Sequence, residues 1–144
     1  MVCFNYSSVI MKINTRLCYA LKILSALASG YKGTLRTEPL SSSEIAAKEN
    51  ISKRYADSIL SILSRGGLVD AHQGVSGGYT LKKPPSDITL YEVFEILEGR
   101  VLSARCIDKK NNCRFSSRCS GHKIFKSLEE KISDSLRKTT IADL

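Results

Sequence analysis

The sequence predicts a mainly α-helical fold with one small β-hairpin and a long C-terminal helix. Three observations carry this. Apolar residues recur at helical spacing in five separate stretches. A single glycine-rich alternating segment, LVDAHQGVSGGYTL, reads as two short strands around a turn. The end of the chain, HKIFKSLEEKISDSLRK, keeps one narrow apolar seam over many residues.

The first helix starts at Thr15. TRLCYALKILSALASG sets Leu17, Leu21, Leu24 and Ala28 on one stripe, and Gly30 supplies the stop. In LSSSEIAAKEN, Ser41 and Glu44 form a capping box, with Leu40 and Ile45 as the hydrophobic staple around it. Asn50 is a residue that tolerates the left-handed conformation ending a helix. A longer helix begins near Ser52, with Tyr55, Ile59, Ile62 and Leu63 as its expected buried face and Gly66–Gly67 as its end. The hairpin follows, with Val69, Ala71, Tyr79 and Leu81 expected to face inward. Pro84–Pro85 break the chain, and Thr89 with Glu92 caps a helix from Leu90 to Glu98, stopped by Gly99. In the last helix, Ile124, Leu128, Ile132 and Leu136 form the seam with Phe125 beside it, a pattern that asks for a partner helix and predicts dimerisation. The alternative is packing against the chain's own core.

A short helix, a tight turn and a longer helix with a polar first turn make a helix-turn-helix. A hairpin directly after it is a wing. The expected layout is therefore a winged helix-turn-helix over residues 11–83, a cysteine-bearing loop and dimerisation region over 84–144, and an N-terminal extension over 1–10.

The net charge is +8 and the pI about 9.4, which favours a polyanionic partner over a merely soluble basic surface once the motif is added. A recognition helix offers its first turns to base edges and phosphates. Here those turns carry Ser52, Lys53, Arg54, Asp57 and Ser58. Lys53 and Arg54 suit phosphates or guanine edges, Asp57 suits a cytosine amino group, and Ser52 suits a cap or a phosphate donor. At the wing, His72 and Gln73 are the polar candidates for the minor groove or the backbone, while the glycines allow close main-chain approach. The expected partner is a double-stranded DNA operator. No catalytic constellation stands out, so the chain is not expected to be an enzyme.

The longest apolar stretch, around Leu21 to Ala28, is interrupted by Lys22 and Ser25, so no membrane span is expected. The N-terminus lacks a basic region ahead of an apolar one, and the expected compartment is the cytoplasm. Cysteines there are read first as metal ligands or redox groups. CIDKKNNCRFSSRCSGH holds Cys106, Cys113, Cys119 and His122 within seventeen residues. Around them stand Arg100, Arg105, Lys109, Lys110, Arg114, Arg118 and Lys123, against the single acid Asp108. Positive surroundings favour thiolate, and thus metal binding or redox reactivity. Spacing alone does not separate zinc from an iron–sulfur cluster, or either from free redox thiols.

Several stretches together resemble the winged-helix transcription regulators of the IscR and NsrR type, the iron–sulfur cluster regulators. They are MKINTRLCYALKIL, EIAAKENISKRYADSILSILSRGGLVDAHQGVSGGYTL, ITLYEVFEILEG, the three cysteines and the closing TTIADL, together spanning residues 11–144. The resemblance implies a homodimer with crossing C-terminal helices, and DNA binding that depends on an iron–sulfur cluster, two-iron in the first instance and four-iron as the alternative. It implies Cys106, Cys113 and Cys119 as cluster ligands and His122 as the fourth. Cys18 falls where NsrR-like members place an N-terminal ligand from the other subunit, so it is the competing fourth ligand; its plain alternative is a small apolar residue in helix packing. Two departures stand out. Gln73 replaces a wing arginine of IscR-like members, and Asp57 replaces a glutamate that helps read DNA. A regulator without a cluster, answering to thiol chemistry or to a partner enzyme of cysteine or sulfur metabolism, is the alternative function.

Overall fold

The computed structural model describes residues 14–31, 38–101, 113 and 117–144. Within them lie five α-helices, α1 (Thr15–Ser29), α2 (Ser42–Glu49), α3 (Lys53–Arg65), α4 (Leu90–Glu98) and α5 (Ser120–Lys138), and one antiparallel hairpin, β1 (Val69–His72) with β2 (Gly78–Leu81). The mainly helical architecture with a single small sheet is the one the sequence predicts.

Local chemistry sets the helix ends. The Asn14 side chain accepts from the Arg16 N–H to start α1. Ser41 and Glu44 cap α2 reciprocally: the Glu44 N–H donates to Ser41 Oγ at 3.2 Å and the Ser41 N–H to Glu44 Oε2 at 2.8 Å. Asn50, at φ 53°, turns the chain out of α2, with its N–H donating to Ala47 O and that of Ile51 to Ala46 O. Those two bonds form a Schellman closure, usually built on glycine. Only Ile51 then separates this turn from Ser52, which caps α3 by accepting from the Tyr55 N–H at 3.2 Å. The turn between the two helices is therefore tight, with the N–H groups of Asn50 and Ile51 both bonded back to α2. Gly66 and Gly67 end α3 for different reasons. Gly67 takes φ +77°, whereas a Cβ on Gly66 would lie 2.7 Å from the Ile96 side chain of α4.

One continuous core runs from Leu17 of α1 to Ile141 near the C-terminus. Ile23, Leu24, Ile45, Ile59, Leu60, Leu63, Leu68, Val69, Ile88 and Val93 are fully buried in it. Leu40 adds one bridge to β2, with the Tyr79 N–H donating to Leu40 O at 2.8 Å and the Leu40 N–H to Tyr79 O at 3.1 Å. The last residues fold back onto the start of α4, where the Leu90 N–H donates to Thr139 O and the Ile141 N–H to Ile88 O, both at 2.9 Å.

Several expected faces are rotated. On α1, Leu21 and Ala28 are only half-buried, and Ala20, Ile23 and Leu27 take the core positions with Leu17 and Leu24. On α3, Tyr55 and Ile62 flank the core while Ala56 and Leu60 enter it. Ala71 is exposed rather than inward, because β1 leaves the core after Val69 and its second half pairs with β2 over solvent. Helix α5 divides along its length. Ile132 and Leu136 pack against the chain's own core, whereas Ile124 and Leu128 are 65% and 43% exposed.

Glu92 joins two elements. It completes the Thr89 capping box and accepts from Lys83 Nζ. Burial raises its pKa, but the hydrogen bonds from Lys83 and Thr89 and the charge of Lys83 outweigh burial and hold the carboxyl below its ordinary value of 4.5. A depressed folded pKa means that the stabilisation is present above 4.5 and is lost as pH falls through the lower folded value. Glu92→Gln is therefore expected to flatten the acid limb of the stability profile as pH falls below the ordinary value of 4.5. Urea unfolding of both proteins across that range checks it; an unchanged limb would contradict the assignment.

Candidate nucleic-acid interface and cysteine site

Because the apolar side of α3 is anchored in the core, its polar side is held outward. Ser52, Lys53, Arg54 and Ser58 are exposed there. Ser52 Oγ already accepts from a backbone N–H, which leaves its hydroxyl proton free to donate. Lys53 Nζ lies 3.0 Å from Asp57 Oδ2, one helical turn on. Asp57 is further hydrogen-bonded by the Ser42 hydroxyl of α2, and this bond, with that of Lys53, holds its carboxyl below the ordinary range. Asp57 is thus tied to both helices of the motif. Two residues escaped the sequence reading. Ser61 and Arg65 are exposed farther along α3, and Arg65 Nε donates to Ser61 O at 3.2 Å. The i, i+4, i+7, i+11 spacing of Arg54, Ser58, Ser61 and Arg65 on one stripe was the signal that could have found them.

The wing leaves α3 through Leu68, whose N–H donates to Leu63 O, and β1 packs on α3. His72 and Gln73 are exposed, and the imidazole Nε2 of His72 lies 2.8 Å from Thr80 Oγ1 on the facing strand. Close approach, rather than a special φ, requires glycine at two positions. A Cβ on Gly77 would lie 2.4 Å from His72 O, and one on Gly78 would lie 2.6 Å from Leu40 O.

Of the cysteine segment, Cys113 is described and half-buried, and Cys119 is exposed as the N-cap residue of α5. Cys106 lies outside the described residues, as do residues 1–10. The Cys119 Sγ lies over Gly121, at 3.5 Å from where a Cβ would be, and the His122 N–H donates to Cys119 O at 3.1 Å. His122 Nδ1 is buried and has no hydrogen-bond partner among the described residues. A buried imidazole nitrogen and a thiol, both carried by the N-terminal end of one helix, are donor chemistry that suits a soft metal centre. Among the described residues, however, no three His, Cys, Asp or Glu side chains gather into a metal-binding group, and Cys18, exposed on α1, does not join Cys119 and His122 within the chain. No described helix is long and apolar enough to cross a membrane.

A capped helix-turn-helix with an outward polar face, followed at once by a hairpin, defines a winged-helix regulator. The profile of Rrf2, described as "Iron-dependent Transcriptional regulator", matches residues 13–144. The chain belongs to the Rrf2 family, a family of transcriptional regulators and not of enzymes. It is 33% identical over 106 residues to the HTH-type transcriptional regulator IscR of Serratia proteamaculans, an alignment covering 74% of this chain and 64% of the relative. IscR of Klebsiella pneumoniae is 31% identical over 108 residues, 75% of this chain and 66% of the relative. The chain thus spans about two thirds of the length of these curated relatives. Among solved structures, CymR, the global cysteine regulator of B. subtilis, superposes with a TM-score of 0.70 at 27% identity, covering 93% of this chain and 95% of that one. The IscR of T. potens also gives 0.70, at 25% identity, covering 92% and 84%.

Proposed function

We propose that the chain is a DNA-binding transcription regulator, a repressor in the first instance, that acts as a homodimer in the cytoplasm and whose operator binding is controlled by an iron–sulfur cluster. The observation that carries the DNA part is the outward polar stripe of α3 on a helix whose other face is locked in the core. In this reading residues 11–83 are the reading head, with Ser52, Lys53, Arg54, Asp57, Ser58, His72 and Gln73 toward DNA. Residues 84–144 supply regulation and the dimer contact.

Membership of a family described as iron-dependent supports the cofactor, as does the donor chemistry of Cys119 and His122. Cys106, Cys113 and Cys119 would hold it, with His122 or the partner's copy of Cys18 as the fourth ligand. When bound, the cluster supplies a centre sensitive to iron supply and oxidation. The protein's own part is mechanical. Cys119 and His122 sit on the first turn of α5, while Ile132 and Leu136 of the same helix pack on the core. A change of ligation at one end of α5 therefore reaches the reading head through one continuous element. Helix placement relative to the second subunit sets half-site spacing, and base contacts tolerate little error in it. The exposed Ile124 and Leu128 fit the partner's helix.

The likeness to CymR supports a second reading, a regulator of cysteine or sulfur metabolism without a cluster. Anaerobic purification with iron and sulfide analysis and a visible spectrum decides between them: colourless protein free of both elements selects the second. Cys113→Ala is expected to abolish the chromophore yet leave a folded dimer, since Cys113 lies outside the core. Loss of the circular-dichroism signal of folded helix in that variant would contradict the prediction. Binding to the promoter region of its own gene, weakening steeply with salt, tests the DNA part.

A further inference from the structure

The wing ends in an apolar side chain for which the fold has no use. Val75 is 110% exposed, well above Ile124, Phe125, Leu128 and Leu144, the other large apolar residues on the described surface. The turn is built to hold it there. Gly74 takes φ +115°, which side-chain-bearing residues rarely adopt, and its carbonyl accepts from the Gly77 N–H at 3.0 Å. The closeness of Gly77 to His72 O leaves no room for a Cβ. Beneath the turn, the His72 ring meets Thr80 across the hairpin. Val75 is therefore positioned by closure of the turn around it and not by packing of its own.

Charge is absent from this tip. From His72 to Gly78 there is no lysine, arginine, aspartate or glutamate. The loop has no lysine or arginine to set on a phosphate, and its one outward apolar side chain is an isopropyl. An uncharged, narrow hairpin tip bearing one branched apolar side chain matches the minor groove, roughly 6 Å wide, better than it matches a phosphate ridge. Apolar side chains of minor-groove proteins contact sugars and base steps there.

We infer that Val75 is a specificity-determining contact in the minor groove, seated against the sugar walls and base floor of an A·T segment. A guanine would place its 2-amino group on that floor, so G·C pairs are disfavoured at this position. The inference rests on the DNA-binding reading above and deepens it. It divides the labour between two elements: the cations of α3 carry the phosphate contacts, and the wing reads groove shape.

The test uses a duplex bound by the wild-type dimer and a second in which every adenine is replaced by 2,6-diaminopurine. That base keeps the major-groove edge of adenine and adds an amino group in the minor groove. Wild-type affinity is expected to fall about tenfold on the modified duplex, the equivalent of losing one buried valine contact. Val75→Ala is expected to bind unmodified DNA about tenfold more weakly and to change less than about twofold on modification. Its salt slope should equal that of wild type, since no phosphate contact is lost. Equal losses for both proteins on the modified duplex, or full affinity of Val75→Ala on the unmodified one, would overturn the inference while leaving DNA binding intact. If wild type itself shows no salt-dependent DNA binding, the underlying reading falls and this one with it. Thermal unfolding of Val75→Ala should match wild type, because the removed methyl groups touch nothing in the fold.

Discussion

Ile59→Ala is expected to destabilise the chain by about 3–4 kcal/mol, near the upper part of the range for buried aliphatic truncations. Ile59 is fully buried at the middle of α3, between Ala56, Leu60 and Leu63, in the part of the core that α1, α2 and α4 also line. Helices on several sides cannot all relax toward the missing atoms, so most of the space left by truncation stays empty. Domains of this size are stable by roughly 5–15 kcal/mol, and such a loss removes a large fraction of that. Function should suffer beyond the folded fraction, since Ile59 lies on the face that keeps Arg54 and Ser58 pointing outward. Chemical denaturation followed by circular dichroism measures the effect. Ser61→Ala, an exposed change on the same helix, should stay within about 0.5 kcal/mol of wild type. A small shift for Ile59→Ala would mean that the core around α3 is loosely packed.

The caps were the most legible part of the chain. Ser41 with Glu44, Asn50, Ser52, and Thr89 with Glu92 each act through atoms within a few residues of themselves, so their roles are written in short strings. Faces were less legible, because they depend on what lies opposite. Tyr55 and Ile62 have the right spacing for a buried stripe. Yet α3 is packed by several elements, which draw in Ala56 and Leu60 beside the expected Ile59 and Leu63 and leave Tyr55 and Ile62 at the edge. Ala71 alternates correctly with Val69, but the hairpin runs past the edge of the core, and alternation then has nothing inside to face. In α5 the seam is continuous in sequence and divided in space, since the core ends before the helix does.

Long-range contacts could not be read at all. Arg16 Nη2 donates to Leu97 O at 2.7 Å and meets Glu98 at 3.3 Å, fastening the start of α1 to the end of α4 across some eighty residues. In the candidate interface, the chemistry of Lys53, Arg54 and Ser58 was legible from their place on the helix. The ties of Asp57 to Ser42 and Lys53 were not, because Ser42 belongs to the other helix of the motif. That difference changes what substitutions here should do.

Removing both cations of the first turn, Lys53→Ala with Arg54→Ala, is expected to lower DNA affinity by about two orders of magnitude at moderate salt and to reduce the salt slope by about two. Each alkyl-ammonium or guanidinium that meets a phosphate releases counterions, and the slope counts them. The single changes should be unequal. Arg54 is exposed at the start of α3, and its loss removes one contact. Lys53 neutralises Asp57 at 3.0 Å, and a carboxyl held below its ordinary value of 3.8 stays ionised at neutral pH when Lys53 is gone. Lys53→Ala therefore leaves a bare negative charge on the surface meant for a polyanion, and should cost more than Arg54→Ala. Adding Asp57→Asn to Lys53→Ala should restore part of the affinity without restoring the lost unit of slope. Fluorescence anisotropy on one duplex at several salt concentrations separates the two effects. If Lys53→Ala and Arg54→Ala weaken binding equally and Asp57→Asn rescues nothing, the carboxylate is held away from the DNA, and the polar face of α3 meets its partner at some other angle.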